Sequence, residues 1–176
     1  ADGSWGNGTR DTMGVAPSAL IMSVPVVVYV HSPYPDTSLE KSMWFGMQFC
    51  VRPPRDTLNG ADVITMSLGL VNAWLPRRRL HREVEENILA AGIIHCVAAG
   101  NEGSAKLRVP GNCPPPWPNP QNVGSGAPSA VISIGATDNN DNIASFSSLG
   151  PTRVWDTVPP WYDYSPYLMD PDMCAP

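Results

Sequence analysis

Ile93-Ile94-His95-Cys96-Val97-Ala98-Ala99 is a short apolar run that breaks off into Gly100-Asn101-Glu102-Gly103. A run of this length and composition reads as a buried strand, the usual state of a strand in a parallel sheet. The small residues at its end let another backbone come close. Open α/β folds bind ligands outside the carboxyl ends of their parallel strands, so the Asn101 carboxamide lies where a site belongs. Its NH₂ can donate to an oxygen on which negative charge develops. Taken alone, a Gly-Asn pair after a strand is a turn signal and no more. Its neighbours in the chain raise its weight.

With 176 residues and 43% apolar content, the chain has enough material for one domain with a substantial core. Charged residues make up only 15% and the net charge is −5, which argues against a nucleic-acid surface. No run of about 18 apolar residues is present to span a membrane. No signal peptide opens the chain, and a mature protein would have lost one. The 20 prolines gather mainly in 110–128 and 151–176, which read as ordered loops. Cys50, Cys96, Cys113 and Cys174 lack metal-type spacing. Cys96 reads as a small core residue. Cys113 and Cys174 lie in Pro-rich loops, where a disulfide and two free thiols are both open.

The remaining elements alternate. Residues 1–14 are polar and Gly-rich and read as loop; Asn7-Gly8-Thr9 fits a glycosylation sequon. Ala19–Val30 reads as a strand interrupted at Pro25. Asp36 or Thr37 can cap a helix, Thr37 with Glu40 has capping-box spacing, and Leu39, Met43 and Met47 form its apolar stripe. Ala61–Gly69 is a second buried strand. After a loop at 70–77, whose Arg77–Arg79 triplet reads as a solvated helix entrance, Leu80, Val84, Ile88 and Ala91 mark a helix closed by Gly92. Residues 104–128 form a loop longer than most structural connections. Val131–Thr137 is a strand, Asn139–Asn142 a turn, and Ile143–Ser148 a short further strand. The tail carries Trp155, Trp161, Tyr162, Tyr164 and Tyr167 among prolines. Strand–helix–strand–helix–strand implies a parallel, doubly wound sheet. His31, His81 and His95 fall in a loop, a helix and a buried strand, and each reads as structural.

In order, GVAPSA, ADVITMSLG, AAGIIHCVAAGNEG and VISIGATDNNDNIASFSSLGP resemble the central part of a subtilisin-like serine protease, or subtilase. The match is strongest over 14–151. Met173-Cys174-Ala175-Pro176 resembles the family's hydrophobic-x-Ala-Pro-Gly. The resemblance implies a three-layer, doubly wound α/β fold, mainly parallel, here as an incomplete central portion within one partial catalytic domain, 1–176. It implies that Asn101 is the oxyanion-hole residue and that Ser67-Leu68-Gly69 is the strand edge that pairs with an extended substrate. Ala98-Ala99-Gly100 would form one wall of the pocket for the side chain preceding the scissile bond, with room for a large apolar group.

The family's triad comes in the order Asp, His, Ser. Its His-Gly-Thr-His and Gly-Thr-Ser-Met-Ala motifs do not occur in the chain. Gly6-Asn7-Gly8-Thr9-Arg10 imitates the first, but too few residues separate it from Gly14 for the helix that belongs between. The resemblance therefore implies companion chains of the same extracellular protease carrying Asp, His and Ser, with peptide or protein as substrate and with neither nucleic acid nor membrane as partner. No cofactor is required. Calcium is a possible structural ion, and Asp138 and Asp141, in an oxygen-rich turn, are its weak candidates; a polar hairpin turn is the plainer reading. A non-catalytic peptide- or protein-binding module on the same fold is the alternative function. An unrelated doubly wound binding domain would need a G-x-G-x-x-G between strand and helix, and none is present.

Overall fold

β2 (Ile94–Ala98) is hydrogen-bonded along both edges, and the described structure grows outward from it. The computed structural model describes residues 16, 18–26, 35–54, 60–70, 75–104, 108–113, 131–150 and 171–176. Among these, β1 (Val63–Met66), β2, β3 (Ile132–Ala136) and β4 (Met173–Ala175) form one sheet in the order β1-β2-β3-β4, every pair parallel. The register runs Met66↔Val97, Val97↔Ser133 and Gly135↔Cys174. Helices α1 (Pro35–Val51) and α2 (Leu75–Ala90) complete the α/β architecture.

Burial alternates along each central strand. Ile64, Met66, His95, Val97 and Ser133 face inward, and Met43 and Met47 of α1 and Ile88 of α2 join the same core. Both helices thus serve one face. The other face is only half covered among the described residues: Val63 and Ile94 are 54% and 50% exposed. Two of the three layers expected from the sequence are present among the described residues. A strand order without reversal accounts for this, because right-handed crossovers then carry successive connections to the same side.

Helix α2 ends in a left-handed cap. Gly92 has φ of +79°, its N–H reaches Leu89 O, and Ile93 N–H reaches Ile88 O, the paired bonds of a Schellman motif. The contact that accompanies the motif joins Ile88 to Ile93, both in the core, and the chain enters β2 at once. Helix α2 begins at Leu75, inside the segment expected as loop, because Pro76 in a first turn removes only an N–H that lacks a helical partner anyway. Pro35 starts α1 ahead of the expected cap for the same reason, which places Thr37 inside the helix and frees Glu40 for another task.

Three further expectations change. The expected strand at 19–30 joins no ladder where described, 19–26, and Pro25 cannot donate to one; Val24 packs on the core instead, and Val26 presses close to Gly46 of α1. The expected strand at 143–148 is reduced to one antiparallel bridge, Thr137↔Ile143, followed by a turn from Ser147 N–H to Ala144 O. Ser147 is buried, and its Oγ accepts from Ala136 N–H at 3.0 Å. The tail at 152–176, expected wholly as loop, supplies β4. Asp172 docks it by exchanging bonds with Ser133: its N–H donates to Ser133 O, and Ser133 N–H donates to Asp172 Oδ2 at 2.7 Å. No disulfide joins Cys113, which is buried, to Cys174, which is exposed. Residues 1–14, His31, most of 104–128 and the aromatic part of the tail lie outside the described residues.

Two buried histidines tie the helices into the core, and both are structural. Trp44 Nε1–H donates to His81 Nδ1 at 3.2 Å, which leaves the ring proton on Nε2, facing Glu40 Oε1 at 3.1 Å. His95 Nδ1 meets Glu85 Oε2 at 2.5 Å, linking β2 to α2. Burial pushes the Glu85 carboxyl up, against the opposing pull of the His95 hydrogen bond. Burial holds His81 down at about 4, from 6.5. Between those values the unfolded chain binds a proton that the folded chain refuses, so the His81 contribution to stability falls as pH drops from 6.5 toward 4. The loss expected across this window is roughly 3 kcal/mol. Urea unfolding between pH 7 and pH 4 checks it (~ two pH units below neutrality suffice to see the slope). The difference in slope between wild type and His81→Gln isolates His81 from Glu85, whose raised carboxyl acts with opposite sign.

Candidate functional site

Beyond Met66↔Val97 the ends of β1 and β2 part, and residues 108–109 fill the gap. Leu70 and Val109 form an antiparallel bridge, with Leu70 N–H to Val109 O at 2.9 Å and Val109 N–H to Leu70 O at 3.1 Å. Arg108 N–H donates to Ala99 O at 2.9 Å. Ser67-Leu68-Gly69 and Ala98-Ala99-Gly100 therefore stand on either side of one segment at the carboxyl end of the sheet. Ser67 is exposed, Leu68, Gly69, Ala98 and Gly100 are half-buried, and Ala99 is buried.

The turn that carries Asn101 is built around Glu102. Arg108 Nε donates to Glu102 Oε1 at 2.8 Å, and Nη2 donates to the same oxygen. Glu102 Oε2 accepts from Ser148 Oγ–H at 2.9 Å and from Asn101 N–H at 3.2 Å. Ser148 Oγ also accepts from Glu102 N–H, and Ser148 N–H closes onto Gly100 O at 3.0 Å. The bond to Arg108 is the main reason the Glu102 carboxyl is held below the usual carboxylate range. Asn101 is exposed, and the bond that holds it uses its backbone, which leaves the carboxamide for a ligand.

Gly100 has φ of +124°, and a Cβ there would lie 2.6 Å from Glu102 Oε2 and 2.8 Å from Ser148 Oγ. Only glycine fits both the backbone and the space.

The sequence singled out Asn101 and its two flanking segments, and the fold brings them to one end of the sheet. It did not single out Glu102, Arg108 or Ser148. The available signal was a lone arginine in the apolar run Leu107-Arg108-Val109-Pro110, with one acid six positions upstream. His95 and Ser133 lie on the buried face of the sheet and Glu85 on the helix packed against it; they have the residue types of a hydrolase triad, yet each is no more than 2% exposed, so no substrate reaches them. Asp138 Oδ1 accepts from the N–H groups of Asn140 and Asn142, and Asn142 Nδ2 adds a further contact. These bonds hold the Asp138 carboxyl low. Its oxygens thus meet donors of their own turn; Asp141 occupies the left-handed position, at φ of 62°. Among the described residues no group of three His, Cys, Asp or Glu is placed to hold a metal, and no helix is long and apolar enough to cross a membrane.

A parallel α/β sheet with an amide-bearing turn at its carboxyl end, beside the outermost strand of the described sheet, puts that turn where open α/β folds keep their ligand sites. The chain belongs to the subtilase family, whose sequence model (peptidase S8) matches residues 3–161. It is 36% identical over 119 residues to serine protease AprX of Bacillus subtilis (strain 168), covering 61% of this chain and 24% of that protein. It is 35% identical over 94 residues to subtilisin DY of Bacillus licheniformis, covering 53% and 29%. Among solved structures, a lanthipeptide protease aligns with a TM-score of 0.47 at 18% identity, covering 64% of this chain and 31% of that one. The chain thus spans less than a third of these relatives.

Replacing Gly100 by alanine tests the turn. Loss of roughly 1–3 kcal/mol in urea unfolding is expected, the cost of a strained non-glycine backbone.

Proposed function

We propose that the chain is the segment of a subtilisin-like serine endopeptidase that binds an extended peptide and stabilises the oxyanion. The carrying observation is the placement of the exposed Asn101, on a turn braced by Glu102, Arg108 and Ser148, beside the 67–69 segment. In this reading the substrate backbone runs along Ser67-Leu68-Gly69, and β1, the outermost strand of the described sheet, offers its free edge. Ala98-Ala99-Gly100 lies beside the side chain preceding the scissile bond. When a serine attacks the carbonyl carbon, the carbonyl oxygen takes up the electron pair and becomes anionic. The Asn101 NH₂ donates to that oxygen and lowers the barrier to acyl-enzyme formation.

The nucleophile, its base and the orienting acid come from companion segments of the protease. His81 and His95 are buried and hydrogen-bonded, so neither serves as that base. The half-exposed apolar sheet face at Val63 and Ile94 is where we place part of those segments, since parallel sheets are covered on both faces. The reading needs no cofactor and sets the protease outside the cell.

Intact mass and peptide mapping of the purified protein under denaturing conditions, with a fluorophosphonate label, test this. Companion peptides carrying the His and Ser motifs, with label on that serine, are the expected result. A lone 176-residue species that takes no label would instead leave the peptide-binding module as the function to pursue. In the assembled protease, Asn101→Ala should lower kcat by ~10²–10³ with KM little changed.

A further inference from the structure

The side chain of Arg108 lies across the cleft between the two substrate segments. Its Cβ falls 2.8 Å from where a Cβ at Gly69 would be, and its Cγ falls 2.9 Å from where one at Gly100 would be. Its Nη1 donates to Gly69 O at 3.3 Å. Both glycines therefore make room for the same side chain, one from each wall. The Arg108 side chain that reaches between them is 31% exposed, and that of Glu102 19%.

Counting donors and acceptors decides what this group can take. A guanidinium has five N–H donors. Arg108 directs Nε and Nη2 to Glu102 Oε1, and Nη1 to Gly69 O. Among the described residues, two N–H groups, one on each Nη, are left over. A carboxylate has about four acceptor positions. Glu102 receives two bonds on Oε1, from Arg108, and two on Oε2, from Ser148 and Asn101. The ion pair has donors to spare and no acceptor to spare.

We infer that Arg108 is a specificity-determining residue, which makes the pocket between 67–69 and 98–100 select a substrate side chain ending in oxygen acceptors, a carboxylate or carboxamide, over a basic one. The inference rests on the peptide-binding reading above and replaces the expectation of a large apolar side chain, which followed from the small residues at 98–100 alone. A carboxylate meets the two spare N–H groups with complementary charge. A carboxamide oxygen meets them without the charge. A lysine or arginine side chain brings only donors, toward a carboxylate that has no free position.

The test is fluorescence anisotropy with the full chain and labelled tetrapeptides that end in Glu, Gln, Leu or Lys and are otherwise alike. The Glu and Gln peptides should bind about tenfold more tightly than the Lys peptide, the size of one charge-assisted hydrogen bond. The gap between Glu and Gln separates charge from acceptor capacity. Arg108→Ala should bring Glu, Gln and Lys within about threefold of each other and make Leu the tightest, as expected once the donors are gone. Because Arg108→Ala leaves the Glu102 carboxylate unpaired, the double variant Arg108→Gln with Glu102→Gln serves as a second, neutral replacement, with its fold checked by circular dichroism; it should lose the preference for Glu over Leu. Binding without this ranking, or a ranking that survives in both variants, overturns the inference and leaves the peptide-binding reading standing. Binding of no peptide at all overturns the peptide-binding reading, and the inference with it.

Discussion

The parallel ladder on both edges of β2 is the constraint from which the rest follows. A strand paired on two sides has no freedom to shift register, because a one-residue slip would turn His95 and Val97 outward and Ile94 and Cys96 inward. Its start is set by the Schellman cap of α2, whose Ile88–Ile93 contact is part of the core. Its end is set by the point where β1 and β2 part. With both ends specified, Asn101 is delivered to one place at the carboxyl edge of the sheet.

That placement would be loose without the charges behind it. Glu102 collects bonds from three separate parts of the chain: the turn itself at Asn101, the returning segment at Arg108, and the segment after β3 at Ser148. Ser147 and Ser148 explain why 143–148 does not continue as a strand. Their hydroxyls bond Ala136 and Glu102, and these bonds hold the segment in a turn against the end of β3 and the Asn101 turn. The same ion pair that steadies the turn also presents spare donors to the cleft, so rigidity and the inferred selectivity share one source.

Much of the framework was legible in the chain. The Met43 and Met47 stripe marked α1, Gly92 marked the end of α2, and the apolar runs ending in Ser-Leu-Gly and Ala-Ala-Gly-Asn marked β1 and β2. Each is a local signal, carried by residues within a few positions of one another. β4 was harder to see, since three residues carry almost no periodicity. Gly135 was the missed clue: a Cβ there would lie 2.9 Å from Cys174 Sγ and 3.2 Å from Ser147 Oγ, and a glycine inside a strand marks such close approach. Glu40 was misplaced for the opposite reason. Its spacing from Thr37 fits a capping box, but burial beside His81, forty-one residues away, takes its carboxylate instead.

By itself, then, the sequence determined the elements, the direction of the sheet and the position of Asn101 at a strand end, because propensity, capping and apolar patterning act over short stretches of chain. It also determined the family, through motifs kept in order. Tertiary structure alone decided what lies between the segments 67–69 and 98–100. The residues at 98–100 are small and suggest open space, yet the Arg108 side chain lies across it, brought there by an antiparallel bridge across thirty-nine residues to Leu70. No local rule foretells that bridge. It forms because the ends of β1 and β2 diverge and their unpaired backbone groups need partners, and the nearest segment able to supply them carries a guanidinium.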